Sequence, residues 1–222
     1  MISIVGLGTG GSKIAKEFEQ YSVYNVYALD FLEKYEKPED YEKNVPDLRE
    51  YFVDIDTHVQ FFVVGSSYSS NYALGILEQI KDKKIDLVYV KPDTELLAGV
   101  PKLVERAAFG VLQEYARSGL LNSITLINNL SVEQVLQNVP IKTYYNTLNT
   151  MIASSVHYVN YFENSDPIIG VKSKPPEIAR IRSIGALDMD TLEEKWFFDL
   201  DIDRDVCYYL CINNERLEND GS

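Results

Sequence analysis

Four glycines crowd the first turn of the chain, Gly6-Leu-Gly8-Thr9-Gly10-Gly11-Ser12, between an apolar run from Ile2 to Val5 and a helix-period stretch that opens at Lys13. Without Cβ atoms the backbone there can turn sharply and present several N–H groups, with the positive end of the next helix, to an anion. That is phosphate chemistry. Read as G-x-G-x-x-G, the set is Gly6, Gly8 and Gly11, and Asp30 closes the second apolar run about twenty residues on, where an acidic side chain can hold an adenosine ribose. A second loop, Gly65-Ser66-Ser67-Tyr68-Ser69-Ser70-Asn71, precedes a helix carrying Leu74, Ile76, Leu77 and Ile80. Its hydroxyls and N–H groups suit a di- or triphosphate, or equally an ordinary capped turn.

A third set suits a purine. Between Tyr144 and Val159, the residues Leu148, Ile152, Val156 and Val159 fall at helical spacing, which leaves Tyr145 and Asn149 together on a different face, one turn apart. A ring can stack on a base, and a carboxamide offers its edge both a donor and an acceptor. Asn129, after the run Ser123 to Ile127, is a further candidate; each asparagine also reads as a cap or turn residue. His58 opens a strand and His157 lies inside the helix that carries Tyr145, so neither is placed to position a hydride.

The elements that must hold these residues alternate as β and α. Strand-like runs span Ile2 to Val5, Val23 to Leu29, His58 to Val64, Asp86 to Val90 and Ser123 to Ile127, mostly apolar throughout, as strands buried on both faces are. Helix-period stretches lie between them at Lys13 to Gln20, Tyr72 to Lys81 and Lys102 to Ser118. The class is α/β, a parallel sheet with flanking helices. Residues 31 to 50, charged and interrupted by Pro38 and Pro46, read as a solvated excursion. Pro175 and Pro176 mark a linker, and beyond it Ile178 to Ile184, Lys195 to Ile202 and Val206 to Ile212 read as a small antiparallel unit.

With 222 residues and 45% hydrophobic content, the chain can bury a core of its own. Its 21 basic and 34 acidic residues give a net charge of −13, against a nucleic-acid or anionic-membrane surface. Cys207 and Cys211 suit neither a disulfide framework nor a zinc site and read as reduced strand residues. The first apolar run is too short for a signal peptide, and no window approaches a membrane span, so the expectation is a soluble, cytoplasmic protein.

The order of these parts resembles the tubulin/FtsZ superfamily, from Met1 to about Tyr161. Leu126-Ile-Asn-Asn129 is similar to that family's strand ending in a nucleotide-binding Asn, and Tyr145-x-x-x-Asn149 to its central helix; Gly6 to Ser12 and Gly65 to Asn71 fall where its phosphate loops do. The resemblance implies a Rossmann-like nucleotide-binding domain over residues 1–142, a long central helix over 143–163, and a shortened, β-rich second domain over 164–222. It implies GTP or GDP with Mg2+ as ligand, head-to-tail self-association into filaments, and hydrolysis only where acidic residues enter a neighbour's site. Two features differ from the family. The serine-rich loop keeps one glycine of a glycine-rich signature, and in the stretch Glu163 to Gly170, which corresponds to that family's acidic loop, Glu163 and Asp166 are the only local carboxylates, with no Asn-x-Asp-x-x-Asp pattern. Two other readings stay open: a dinucleotide-binding Rossmann protein using Asp30 for NAD, and an assembly protein of this fold that binds no nucleotide.

Overall fold

The computed structural model describes residues 1–93, 95, 97–136, 138–166, 176–202 and 205–210. Five strands, β1 (Ile2–Leu7), β2 (Tyr24–Leu29), β3 (His58–Val64), β4 (Lys84–Lys91) and β5 (Ser123–Asn128), form a parallel sheet completed by a short β6 (Ile181–Ser183). The order is β2-β1-β3-β4-β5-β6. Alternate side chains serve two cores. Ile2, Ile4, Phe62, Val88, Val90 and Ile127 face α1 (Gly8–Lys16), α5 (Asn129–Leu136) and α6 (Tyr144–Asn164). Val5, Leu7, Val59, Phe61, Val63, Leu87 and Tyr89 face α2 (Pro38–Lys43), α3 (Ala73–Gln79) and α4 (Val100–Ser118). Because β2 lies to one side of β1 and β3 to the other, the turns after β1 and β3 leave for opposite faces. A crevice opens at the carboxyl ends of β1 and β3, where open α/β sheets bind ligands.

Three expectations are corrected. The first helix starts at Gly8, not Lys13. Two glycines of the turn are needed for packing: a Cβ on Gly6 would stand 2.6 Å from Ala15 Cβ and inside contact distance of the Gly11 carbonyl, and one on Gly11 would stand 2.6 Å from the Phe62 carbonyl oxygen. The charged stretch 31–50 is anchored, not merely solvated. Tyr41 is 2% exposed against Tyr72, its hydroxyl accepts from the Tyr35 amide at 3.0 Å, and Gln79 holds the Leu48 amide and the Pro46 carbonyl, each at 2.8 Å. The third correction concerns the C-terminal runs. Ile181–Ser183 joins the main sheet, parallel to β5, while β7 (Gly185–Leu187) pairs antiparallel with β8 (Glu194–Trp196). Residues 206–210 lie in no strand; Cys207 is half-buried with a free thiol, and Cys211 and residues 167–175 lie outside the described residues. Phe197, fully buried in the α1-side core, ties this segment down: its amide donates to the Ile184 carbonyl at 2.9 Å and its carbonyl accepts from the Asn128 amide at 2.6 Å.

Two polar clusters fix the sheet to its surroundings. Asn160 of α6 exchanges hydrogen bonds with Gln60 of β3, donating at 2.8 Å and accepting at 3.3 Å, and donates to Tyr24 Oη at 3.4 Å. Tyr24 Oη lies 2.9 Å from His157 Nδ1, and the imidazole stacks on Tyr21. At the opposite end of the strands from the crevice, Asp86 meets His58 Nε2 and accepts from Asn122 Nδ2 and Ser123 Oγ. Burial alone would raise the Asp86 pKa, but these hydrogen bonds outweigh it and hold the carboxyl below its ordinary value. With a folded pKa below the unfolded one, the stabilisation is full above about pH 4 and is lost as pH falls through the folded value. Asp86→Asn is therefore expected to cost about 1–3 kcal/mol at pH 7, with the gap to wild type narrowing in strong acid. Urea unfolding at pH 7 and near pH 3 measures it; a constant gap would exclude Asp86 as the linked group.

Candidate functional site

The crevice is built first from α1. The helix begins directly from β1, Gly8 takes φ +76°, and no side chain caps the first turn, so its leading N–H groups and positive dipole end look out over the sheet edge. Beside it, β5 runs straight into α5. Asn128 Oδ1 accepts from the Leu130 amide at 2.9 Å and so serves the turn, which leaves Asn129 to the crevice. Above both lies the start of α6. Tyr144 Oη donates to Glu133 at 2.7 Å, pinning that end to α5; burial and the Glu133 carboxylate push its pKa up to about 12, so it remains a donor. The Tyr144 ring meets Tyr145 edge to face at 5.1 Å.

These elements enclose an open cleft of about 230 Å³ lined by Thr9, Gly10, Lys13, Ile14, Val64, Val90, Asn129, Tyr145 and Asn149. Five residues singled out from the sequence, drawn from three separate segments, meet here. Tyr145 is 67% exposed, a ring free to cover a flat ligand, and Asn149 lies one turn along the same helix. Ile14, Val64 and Val90 supply apolar wall. Lys13 was not among the expected residues, although its place one turn after Thr9 on α1 was the available signal.

The remaining candidates lie around the cleft rather than in it. Gly6 and Gly11 pack α1 on the sheet. Ser12 is buried, its hydroxyl 3.2 Å from the Gly6 carbonyl and 3.0 Å from that of Leu29, so it binds β1 and β2 to α1. The serine loop closes on itself: Ser67 Oγ accepts from the Ser70 amide at 3.1 Å, Ser70 Oγ donates to the Ser67 carbonyl at 2.6 Å, and the Asn71 amide donates to the Tyr68 carbonyl. Gly65 is held by the Val90 carbonyl at 3.0 Å, Ser66 takes φ +60°, and Tyr68 is exposed beneath the Lys34 ammonium at 4.3 Å. Ser69 is buried, and its hydroxyl reaches Asp30 at 3.3 Å and the Phe31 carbonyl at 3.1 Å. Asp30 also accepts from Thr9 Oγ1 at 2.9 Å.

Neither histidine approaches the cleft: His58 pairs with Asp86, and His157, its pKa pushed down by burial, faces Tyr24. In the last turn of α6, Glu163 lies 3.9 Å from Arg182, and just beyond the helix Asp166 is exposed. Among the described residues, no group of three or more His, Cys, Asp or Glu side chains could hold a metal ion, and no helix is long and apolar enough to cross a membrane.

A parallel sheet whose strand order reverses at β1, a glycine turn at that point and a long helix across the crevice define an α/β, Rossmann-like fold, and its likeness in solved structures is to FtsZ and TubZ. The chain matches an empty FtsZ dimer of M. jannaschii with a TM-score of 0.62 at 12% identity, over 83% of this chain and 62% of that one. It matches a GTPγS-form protofilament of Bacillus thuringiensis serovar israelensis TubZ with a TM-score of 0.53 at 11% identity, over 71% and 56%. The chain thus spans about three fifths of the FtsZ chain, and what it shares at this identity is the fold. No protein-family model matches the sequence, and comparison with curated proteins finds no match.

Proposed function

We propose that this chain binds a guanine nucleotide in the cleft between α1, α5 and α6 and self-associates head to tail. The observation that supports this is the convergence of Asn129, Tyr145 and Asn149 on one cleft whose other end is the uncapped first turn of α1. The residues fit the ligand: two carboxamides and a ring are a recognition set for a purine edge and face, and helix N–H groups with Lys13 meet the first phosphate. Mg2+ would arrive on the phosphates, and Asp30 is the carboxylate bonded to the turn, through Thr9. In a head-to-tail contact, Glu163 and Asp166 at the end of α6 are the carboxylates that a neighbour's nucleotide would meet. The NAD reading is less well supported, because the Asp30 carboxylate it needs for a ribose is engaged by Thr9 and Ser69.

The test is calorimetric titration of nucleotide-stripped protein with GTP, GDP, ATP and NAD in magnesium buffer, followed by light scattering with the best ligand. Guanine-selective binding with nucleotide-dependent scattering is expected. Binding of NAD alone would transfer the site to the dinucleotide reading, and binding of none would leave a fold that assembles without nucleotide.

A further inference from the structure

Asp30 bridges the two loops between which a polyphosphate would lie. One carboxylate oxygen accepts from Thr9 Oγ1 at 2.9 Å, on the first turn of α1, and the other faces Ser69 Oγ at 3.3 Å, in the serine loop. The Thr9 hydroxyl is thereby already committed to an anion, and the single Ser69 proton is taken up between Asp30 and the Phe31 carbonyl 3.1 Å away. Within the loop the Ser70 hydroxyl is spent on the Ser67 carbonyl, and Ser67 Oγ accepts from the Ser70 amide. The loop also sits hard against the glycine turn, since a Cβ on Gly8 would stand 3.1 Å from both Ser67 Oγ and Ser69 Cβ. Among the described residues, none of the loop lines the cleft, and Lys13 is its only charged lining residue.

We infer that Asp30 is an internal substitute for the distal phosphates, so that the site recognises guanine, sugar and the first phosphate and does not read the length of the phosphate chain. The inference rests on guanine binding in the cleft. A carboxylate and a phosphate compete for the same donors, and two anions brought to hydrogen-bonding separation from shared hydroxyls repel each other. The ligand class is guanosine mono-, di- and triphosphate alike, and Asp30 is the residue that removes the distinction among them.

The test uses the full chain, nucleotide-stripped, in EDTA so that no divalent cation bridges carboxylate and phosphate. GMP, GDP and GTP are titrated into wild type, Asp30→Asn and Asp30→Ala. Asparagine keeps an oxygen to accept from Thr9 or Ser69 while removing the charge, and the wild-type series stands whether or not either variant folds. Wild type is expected to bind the three within about threefold, and both variants to bind GDP and GTP about tenfold or more tighter with GMP little changed. A wild-type preference for GTP over GMP of about tenfold would overturn the inference and leave guanine binding standing. So would folded variants whose ratios match wild type. If wild type and both variants bind none of the three, guanine binding and the inference fall together.

Discussion

Exchange of Asn149 for aspartate is expected to lower affinity for GTP by about 10- to 100-fold while moving the melting temperature by no more than about 2 °C. The carboxamide is half-exposed on α6 and packs in neither core, so folding does not depend on it. The proposed binding does: aspartate retains acceptors only, so a base atom that accepted from the amide would lose its donor, and a negative charge would enter the cleft proposed to take phosphate. The neighbouring ring gives an internal control. Tyr145→Ala removes a stacking surface worth about 1–3 kcal/mol for a base, whereas Tyr145→Phe keeps the ring and should bind near wild type. Titration of all three variants with GTP separates edge recognition from stacking; unchanged affinity in Asn149→Asp would remove that residue from the site.

The second large effect concerns stability. Gly6→Ala is expected to destabilise the fold by about 3 kcal/mol or more, a fall in melting temperature of roughly 6–12 °C for a chain of this size. The new methyl would meet the Gly11 carbonyl and Ala15 Cβ, both fixed parts of α1, so relief requires lifting the helix from β1 and with it the first turn that borders the cleft. Gly110→Ala in α4 is the contrast. Nothing lies within 4 Å of a Cβ there, and alanine in a helix interior should stabilise by about 0.5–1 kcal/mol. Thermal melts of the two variants should therefore move in opposite directions. A Gly6→Ala protein as stable as wild type would mean that α1 rides on the sheet more loosely than its contacts indicate.

That contrast explains what the sequence made legible and what it did not. The continuous apolar runs located five strands because both faces of a parallel sheet are dry, and the 3.6-residue spacing of Leu148, Ile152 and Val156 located α6 and put Tyr145 and Asn149 together off its buried stripe. The glycines announced a tight strand-to-helix junction, but composition could not distinguish a glycine that admits a ligand from one that admits a helix; Gly6 and Gly11 prove to be the second kind. The serine loop was ambiguous in a related way. A hydroxyl that can donate to phosphate can donate to a carboxylate or a carbonyl: Ser70 finds its acceptor three residues back in the loop, and the partners of Ser69 are settled by tertiary approach. Tyr41 was hidden among charges, where a single aromatic anchor leaves no periodic trace. The run Ile178 to Ile184 read as a strand, but its sheet did not: the three residues of β6 are placed by their parallel pairing with β5.

The reciprocal bond between Gln60 and Asn160 works as an index pin. Sliding or turning α6 by one position would pull these carboxamides away from each other inside the protein, each losing partners that burial makes expensive to lose, so the helix has one setting and no neighbouring one of similar energy. Asn149 stands eleven residues back along the same rod, about 16 Å at the helical rise. The gauge of the cleft, the gap between its ceiling and the turn after β1, is consequently set about three helical turns away, by side chains outside the cleft lining.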